Sequence, residues 1–321
     1  MMDWTDRHCR RFHRLFSPHA LLYTEMIVST ALVRGDAARL LDHDPAEHPV
    51  ALQLGGCDPR ELAQAAAIGA AAGYAEINLN CGCPSDRVRD GAFGACLMAN
   101  APLVAECVLR MRDAVDVPVT VKCRIGLDAH QDYGFFADFA ARMQAAGVAA
   151  LIVHARNAIL GGLSPKENRE VPPLNYGFVH RLKAERPSLA VVLNGGLTGV
   201  AQVLAELAPD PGATVLDGVM LGRAAYHQPR LLDELERALF NPAWRGPEPE
   251  AVVGAMVAYA HTQAARGVRL HSITRHMHGL IAGCDGARAW RRFLSDVASR
   301  PDAPPETLYG GLAVLGRRAA A

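Results

Sequence analysis

PVTVKCRIG (118–126), YGFFADFAARMQAAG (133–147) and AALIVHAR (149–156) follow one another along the chain, and their order decides the fold. The first and third runs are short, β-branched and apolar on both faces, as in strands buried within a parallel sheet. The middle run carries apolar residues at helical spacing and ends on Gly147, a residue that closes helices. Strand, helix and strand of these lengths make one crossover unit. The alternation continues outward in both directions. Upstream, LLYTEMIVST (21–30), VALQLG (50–55) and AEINLN (75–80) read as strands, with ELAQAAAIGAAAG (61–73) and PLVAECVLRMRDAV (102–115) as helices. Downstream, LAVVLNGG (189–196) and LDGVMLGR (216–223) complete a set of seven strands. Such alternation specifies an α/β fold, and an eighth strand would close a (β/α)8 TIM barrel. TDRHCRRFHRLF (5–16) reads as a helix capped by Thr5 or Asp6, with only four residues before it. The first barrel strand is therefore expected to be missing or severely shortened, most simply through a start assigned too late, so that 321 residues fall short of the natural length.

Beyond Arg223 the pattern changes. A helix is expected over 224–240, followed by the polar, Pro-rich NPAWRGPEPE (241–250). The remainder shows helical periodicity in AVVGAMVAYAHTQAARG and ARAWRRFLSDVAS and has no strand run. These features predict a barrel domain over 1–240, a linker over 241–250 and a small all-helical domain over 251–321.

Composition bounds the function. Half of the residues are apolar and 21% are charged, which excludes a disordered chain. Lys+Arg and Asp+Glu stand at 33 each, which excludes a uniformly basic nucleic-acid coat but not a local patch. Only Lys122, Lys166 and Lys183 are lysines; the other cations are Arg, the better phosphate fork. From Pro247 onward nine Arg face six acids, so the neutral sum conceals a basic C-terminal region. The polar N-terminus does not read as a signal peptide, and no unbroken apolar run reaches the ~18 residues of a membrane span. A cytoplasmic protein with reduced thiols is expected, free of membrane and with no obligate protein partner. Cys81 and Cys83 lack partners at zinc-site spacing, so no metal is assigned.

In a barrel of this kind chemistry sits at the C-terminal ends of the strands. Five strand ends carry polar residues: Gln53; Asn78 and Asn80; Lys122 and Arg124; His154 and Arg156; Asn194. A buried polar group costs on the order of 1–3 kcal/mol unless it is hydrogen-bonded, so five together point to a site. Asn194-Gly195-Gly196 and Gly222-Arg223 follow the last two strands, where such barrels hold phosphate. Glycine lets backbone N–H groups approach an anion, and Arg223 adds a fork. No strand–GxGxxG–helix unit is present, which argues against a Rossmann site. Cys83, between Gly82 and Pro84 at the end of a strand, is placed to act as nucleophile or proton donor. Arg288 and Arg291 lie three apart on one predicted helix face, a spacing suited to phosphate contacts.

Longer blocks narrow the reading. MMDWTDRHCR (1–10), LLYTEM (21–26), HPVALQLGG (48–56), EINLNCGCPSDRV (76–88), GAFGACLM (91–98), VKCRIGLD (121–128), VHARNAILGGLSPKENREVPPLNY (153–176), NGG (194–196), DGVMLGRAAY (217–226) and GARAWRR (286–292) resemble the tRNA-dihydrouridine synthase family, most of all its bacterial A subfamily. The long loop LGGLSPKENREVPPLNY is the most diagnostic piece. One departure is visible: the family's first strand ends Ala-Pro-Met, and this chain opens at Met1, close to that Met.

The resemblance implies an FMN-binding barrel and a helical tRNA-binding domain. It implies reduction of tRNA uridine to 5,6-dihydrouridine at D-loop positions 20 and 20a, with hydride from NADPH passing through FMN to C6. FMN contacts would fall on Met1, Met2, Gln53, Lys122, His154, Asn194, Gly195, Gly196, Gly222 and Arg223. The proton for C5 would come from Cys83. Substrate contacts would fall on Asn80, Asn168, Arg169, Arg288 and Arg291. The chemistry of these groups agrees. A thiol with a pKa near about 8.5 is a suitable acid for a carbanion. Lys122 and His154 can bond a flavin edge, and Asn80 can match a uracil edge. The base must leave the folded tRNA to reach them. Two other readings remain open: a flavin barrel acting on a free pyrimidine-like molecule, and a non-catalytic tRNA-binding relative.

Overall fold

The computed structural model describes residues 1–85, 93–207 and 214–316, with side chains described as far as residue 313. Residues 86–88 of EINLNCGCPSDRV, 91–92 of GAFGACLM and 317–321 of the expected helical domain lie outside the described residues. The chain divides into two compact units.

Tyr23–His43 with His48–Leu221 forms the sheet unit. Its seven strands run in sequence order: β1 (Leu22–Val28), β2 (Val50–Gly55), β3 (Glu76–Cys81), β4 (Val119–Arg124), β5 (Leu151–His154), β6 (Val191–Asn194) and β7 (Gly218–Met220). From β2 to β7 every neighbouring pair is parallel. This is the strand order of an α/β barrel, with seven strands among the described residues. Helices follow the strands, including α1 (Pro59–Ala71) after β2 and α2 (Tyr133–Ala145) after β4. Asp58 caps α1 by accepting from Arg60 and Glu61 N–H at 2.9 Å, with Pro59 in the first turn. A methyl group on Gly69 of α1 would lie 2.3 Å from Leu52 and 3.1 Å from Ile77, so those residues face the helix layer. Alternation then turns Gln53, Glu76, Asn78 and Asn80 to the opposite face of the sheet.

One stretch departs from the sequence expectation. Gly94–Ala114 runs as a single helical segment, 3-10 over Gly94–Asn100 and α-helical over Ala101–Ala114. It is long and apolar enough to cross a membrane by length and composition, although Glu106, Arg110, Arg112 and Asp113 break the run of apolar letters. Half of that window is buried within the fold, and the segment packs on α1 and β3.

Met1–Leu22, Asp44–Glu47 and Gly222–Ala321 form the helical unit. Helix α3 (Arg7–Arg14) is capped by Asp6, whose carboxylate accepts from the Cys9 N–H at 2.9 Å. It belongs with the C-terminal helices for a physical reason: His8 Nδ1 lies 2.8 Å from the Tyr259 hydroxyl of α4 (Pro249–Ala264). The Ser17 hydroxyl donates to buried Glu236 at 2.6 Å. The division therefore falls at Leu221/Gly222 and not at 241–250. Residues 241–248 are tied back to the preceding helix, Arg230–Leu239: Trp244 Nε1 donates to Asp233 at 3.2 Å and Arg230 donates to Pro247 O at 2.8 Å.

Candidate active site

The register of the parallel strands brings the polar strand ends together. Gln53 lies beside Asn78, Asn80 beside Lys122, and His154 beside both Arg124 and Asn194. Asn80 Nδ2 donates to Gln53 Oε1 at 2.8 Å. Asn80 Oδ1 accepts the backbone N–H groups of Gly82 and Cys83, both at 3.0 Å. This clamp starts the turn that carries the thiol. Cys83 is half-buried, its Sγ is 3.5 Å from the Ser85 hydroxyl, and its carbonyl accepts from Ala95 N–H at 2.9 Å. Cys81, on the other face of β3, is fully buried, and burial pushes its thiol well above the usual range. The two cysteines of the Cys-x-Cys pair thus have different environments, and Cys83 is the accessible one.

Lys122 Nζ donates to Asn194 Oδ1 at 3.1 Å, and Asn194 Nδ2 donates to Met220 O at 2.7 Å. No carboxylate pairs with Lys122 among the described residues. Burial, and then the Arg124 cation, lower its pKa to about 8. Burial also holds His154 well below the usual imidazole range, reinforced by Arg124, Lys122 and Arg156. His154 is therefore a neutral ring near pH 7. Gly195 and Gly196 have φ of +111° and +74°. A methyl group on Gly195 would sit 2.5 Å from the His154 ring, and one on Gly196 2.4 Å from Leu174. The Gly195 carbonyl accepts from Tyr176 OH at 2.5 Å. Glycine is required here for conformation and for close approach. The result is a donor-rich face of amides, an ammonium and a neutral imidazole against bare backbone. That donor set fits a flat group bearing ring carbonyls and negative charge, as FMN does when reduced.

Arg124 is almost wholly buried, and its guanidinium fastens two segments to the sheet. Nε donates to Gly82 O at 3.1 Å, and NH1 donates to Asn168 O at 2.9 Å. Asn168 differs from its expected role as a substrate contact. It is fully buried, and its amide is spent on its own loop: Oδ1 accepts from Ile159 N–H, and Nδ2 donates to Ile159 O, Leu163 O and Ser164 O. It builds the loop; Arg169 beside it is exposed.

In the helical unit, Met2 is exposed and Met1 half-buried. A methyl group on Gly222 would meet Met1 Sδ at 3.5 Å, an ordinary contact. Arg223 opens the short helix Arg223–His227. Arg288 and Arg291 are exposed on helix α5 (Ala287–Asp296), whose inner face is anchored by buried Trp290, with Nε1 donating to Met277 O at 2.8 Å. Neither Arg has an ion-pair partner among the described residues, whereas Arg292 pairs with Asp296 at 3.2 Å.

Sequence reading missed Tyr176, which holds the Gly195 carbonyl, and the polar residues deeper on the same sheet face, Glu76 and Thr120. Their signal was present: positions 76, 78 and 80, and 120, 122 and 124, alternate with apolar residues.

The family model described as "Dihydrouridine synthase (Dus)" matches residues 1–309. A "tRNA-dihydrouridine(20/20a) synthase" of Xanthomonas axonopodis pv. citri is 56% identical over 304 residues, covering 94% of this chain and 88% of that protein. The protein of the same name from Pasteurella multocida is 49% identical over 315 residues, covering 98% and 94%. A solved structure of morphinone reductase in complex with tetrahydroNAD superposes with a TM-score of 0.49 at 14% identity, covering 78% of this chain and 86% of that one. With the family pattern running through nearly its whole length, this chain belongs to the dihydrouridine synthase family.

Proposed function

We propose that this protein reduces uridine to 5,6-dihydrouridine in tRNA, at D-loop positions 20 and 20a, in the cytoplasm, with FMN as cofactor and NADPH as reductant. The observation that carries the reading is the pairing of an accessible thiol, Cys83, clamped by Asn80, with the Lys122–Asn194 donor pair one strand away. FMN, when bound, supplies a two-electron carrier between NADPH and uracil C6. Gln53, Lys122, His154, Asn194, Gly195 and Gly196 bind it in the sheet unit. The family resemblance also assigns Met1, Met2, Gly222 and Arg223 to FMN. Lys122 brings positive charge to the ring edge, and neutral His154 donates a hydrogen bond without adding charge. Asn80 orients the uracil through its remaining N–H. Cys83 delivers the proton to C5 from its Sγ. The target base leaves its stack to reach these groups. Exposed Arg169, Arg288 and Arg291 take tRNA phosphates, while buried Asn168 shapes the loop that presents Arg169.

The test is incubation of flavin-loaded protein and NADPH with unmodified tRNA or with free uridine, followed by mass spectrometry. Two hydrogens gained at a D-loop uridine, and none by free uridine, is the expected result. Reduction of free uridine at a comparable rate, or no gain by either substrate, would overturn the proposal.

A further inference from the structure

Polar groups on β1 to β4 join into one line of hydrogen bonds that runs beneath the site. The N–H groups of Gly82 and Cys83 donate to Asn80 Oδ1 at 3.0 Å. Asn80 Nδ2 donates to Gln53 Oε1 at 2.8 Å, and Gln53 Nε2 to Asn78 Oδ1 at 2.9 Å. Asn78 Nδ2 donates to Thr120 Oγ1 at 2.8 Å, and the Thr120 hydroxyl to Glu76 Oε1 at 2.6 Å. The Tyr23 hydroxyl donates to the same Glu76 oxygen at 2.7 Å.

Every bond in the line points the same way, and the direction is forced. A backbone N–H can only donate, so Asn80 must turn its oxygen to the Cys83 turn and its nitrogen to Gln53. An amide has one end of each kind, so the order passes on to Gln53 and then to Asn78. Thr120 accepts from Asn78 and has a single proton left to give. The line must therefore end on an acceptor, and Glu76 supplies one. That carboxyl group is buried at 9% exposure, where burial pushes its pKa up, and it is the shared acceptor of the Thr120 and Tyr23 hydroxyls.

We propose that Glu76 is a positioning residue for the uridine site, the terminal acceptor that completes the line and so stabilises the amide orientation that the turn N–H groups require of Asn80 and Gln53 and, through Asn80, the placement of the Cys83 turn. Both lone pairs of Asn80 Oδ1 are taken by Gly82 and Cys83, so its one free polar group is an N–H. It therefore addresses a ring carbonyl, as on uracil, and rejects an exocyclic amine, as on cytosine. A reversed line would expose oxygen and release the turn. The effect on turnover rests on the function proposed above; the effect on the turn does not.

Three variants test it: Glu76→Leu removes the acceptor, Thr120→Val cuts the line, and Glu76→Gln keeps an acceptor oxygen at the same place. Hydrogen exchange at the Gly82 and Cys83 amides is read on the full chain. It should quicken about tenfold in Glu76→Leu and Thr120→Val and stay within about twofold of wild type in Glu76→Gln. Single-turnover dihydrouridine formation, measured per bound flavin, should fall in the same order. In an Asn80→Ala background, Glu76→Leu should cause no further loss, because it acts through Asn80. Unchanged exchange at Gly82 and Cys83 in the cut variants would overturn the proposal, as would losses that multiply in the double variant. If Glu76→Leu does not fold, Thr120→Val and Glu76→Gln decide by the same exchange. If wild type makes no dihydrouridine, the function fails while the exchange data still settle the role of Glu76.

Discussion

Lys122 is a cation held in the sheet with an amide oxygen for a partner and no carboxylate. That arrangement costs stability in the free protein. Its folded pKa, about 8, lies below the unfolded value near 10.5, so between those values the unfolded chain binds more protons and stability rises with pH. At pH 7 the penalty is fully present. Lys122→Met should therefore raise the melting temperature of the flavin-free protein by several degrees at pH 7, with the gain shrinking as pH climbs from 8 toward 10.5. The same variant should bind FMN at least tenfold more weakly by fluorescence titration. A lower melting temperature at pH 7 would show that the ammonium stabilises the fold. At this scale the placement of Lys122 and His154 at strand ends, and of Cys83 just after one, was legible in sequence because a polar residue at the end of an apolar strand stands out. Asn168 was misjudged because a loop Asn bonded to its own backbone is spelled like one facing substrate. Tyr176 was hidden, since its contact with Gly195 joins residues 19 apart.

Helix α3 shows what a single element depends on. Asp6 caps the helix through Cys9 and also holds Arg275 at 2.6 Å and His276 at 3.0 Å. Burial opposes its ionisation, but the His276 and Arg275 partners and the Cys9 N–H together hold its carboxyl well below the usual range. Stability from a depressed carboxyl is present above the unfolded pKa near 4 and is lost as pH falls through the folded value. Asp6→Ala should cost about 2–4 kcal/mol at pH 7 by chemical denaturation, and Asp6→Asn less, since an amide still caps. The gap from wild type should narrow below about pH 4. An equal cost at pH 7 and pH 3 would assign the loss to packing alone. Element type was legible wherever the periodicity was long, as in 133–147, which ends on Gly147 at φ +78°. The expected helix over 224–240 is two helices, Arg223–His227 and Arg230–Leu239, because Pro229 between them has no N–H to continue the first. Of the helical run Gly94–Ala114 only 102–115 was legible, because Gly94–Asn100 is 3-10 and lacks the α-helical period.

Over the whole molecule, the strand order was readable, because seven alternations leave few topologies open. The division of the chain was not. Met1–Leu22 joins the C-terminal helices through pairs such as His8–Tyr259, which are some 250 residues apart and leave no local mark. The zero net charge conveys little about partners, since the C-terminal excess of Arg includes two exposed residues, Arg288 and Arg291, without acidic partners among the described residues. Replacing both by Ala should weaken tRNA binding about tenfold or more at 100 mM salt and lower the log–log salt slope by about one per lost phosphate contact. Flavin content should not change. A salt slope equal to that of wild type would remove them from the tRNA interface. The central claim joins Cys83 to the reduction of tRNA uridine, and an anaerobic single turnover tests it most directly. Wild-type and Cys83→Ala proteins, each loaded with flavin and reduced by NADPH, are mixed with unmodified tRNA, and positions 20 and 20a are followed by mass spectrometry. The account predicts a gain of two mass units with wild type and a rate about 10²–10⁴-fold lower with Cys83→Ala, both proteins accepting reduction by NADPH equally well; no mass gain with wild type, or an unchanged rate with Cys83→Ala, would contradict it.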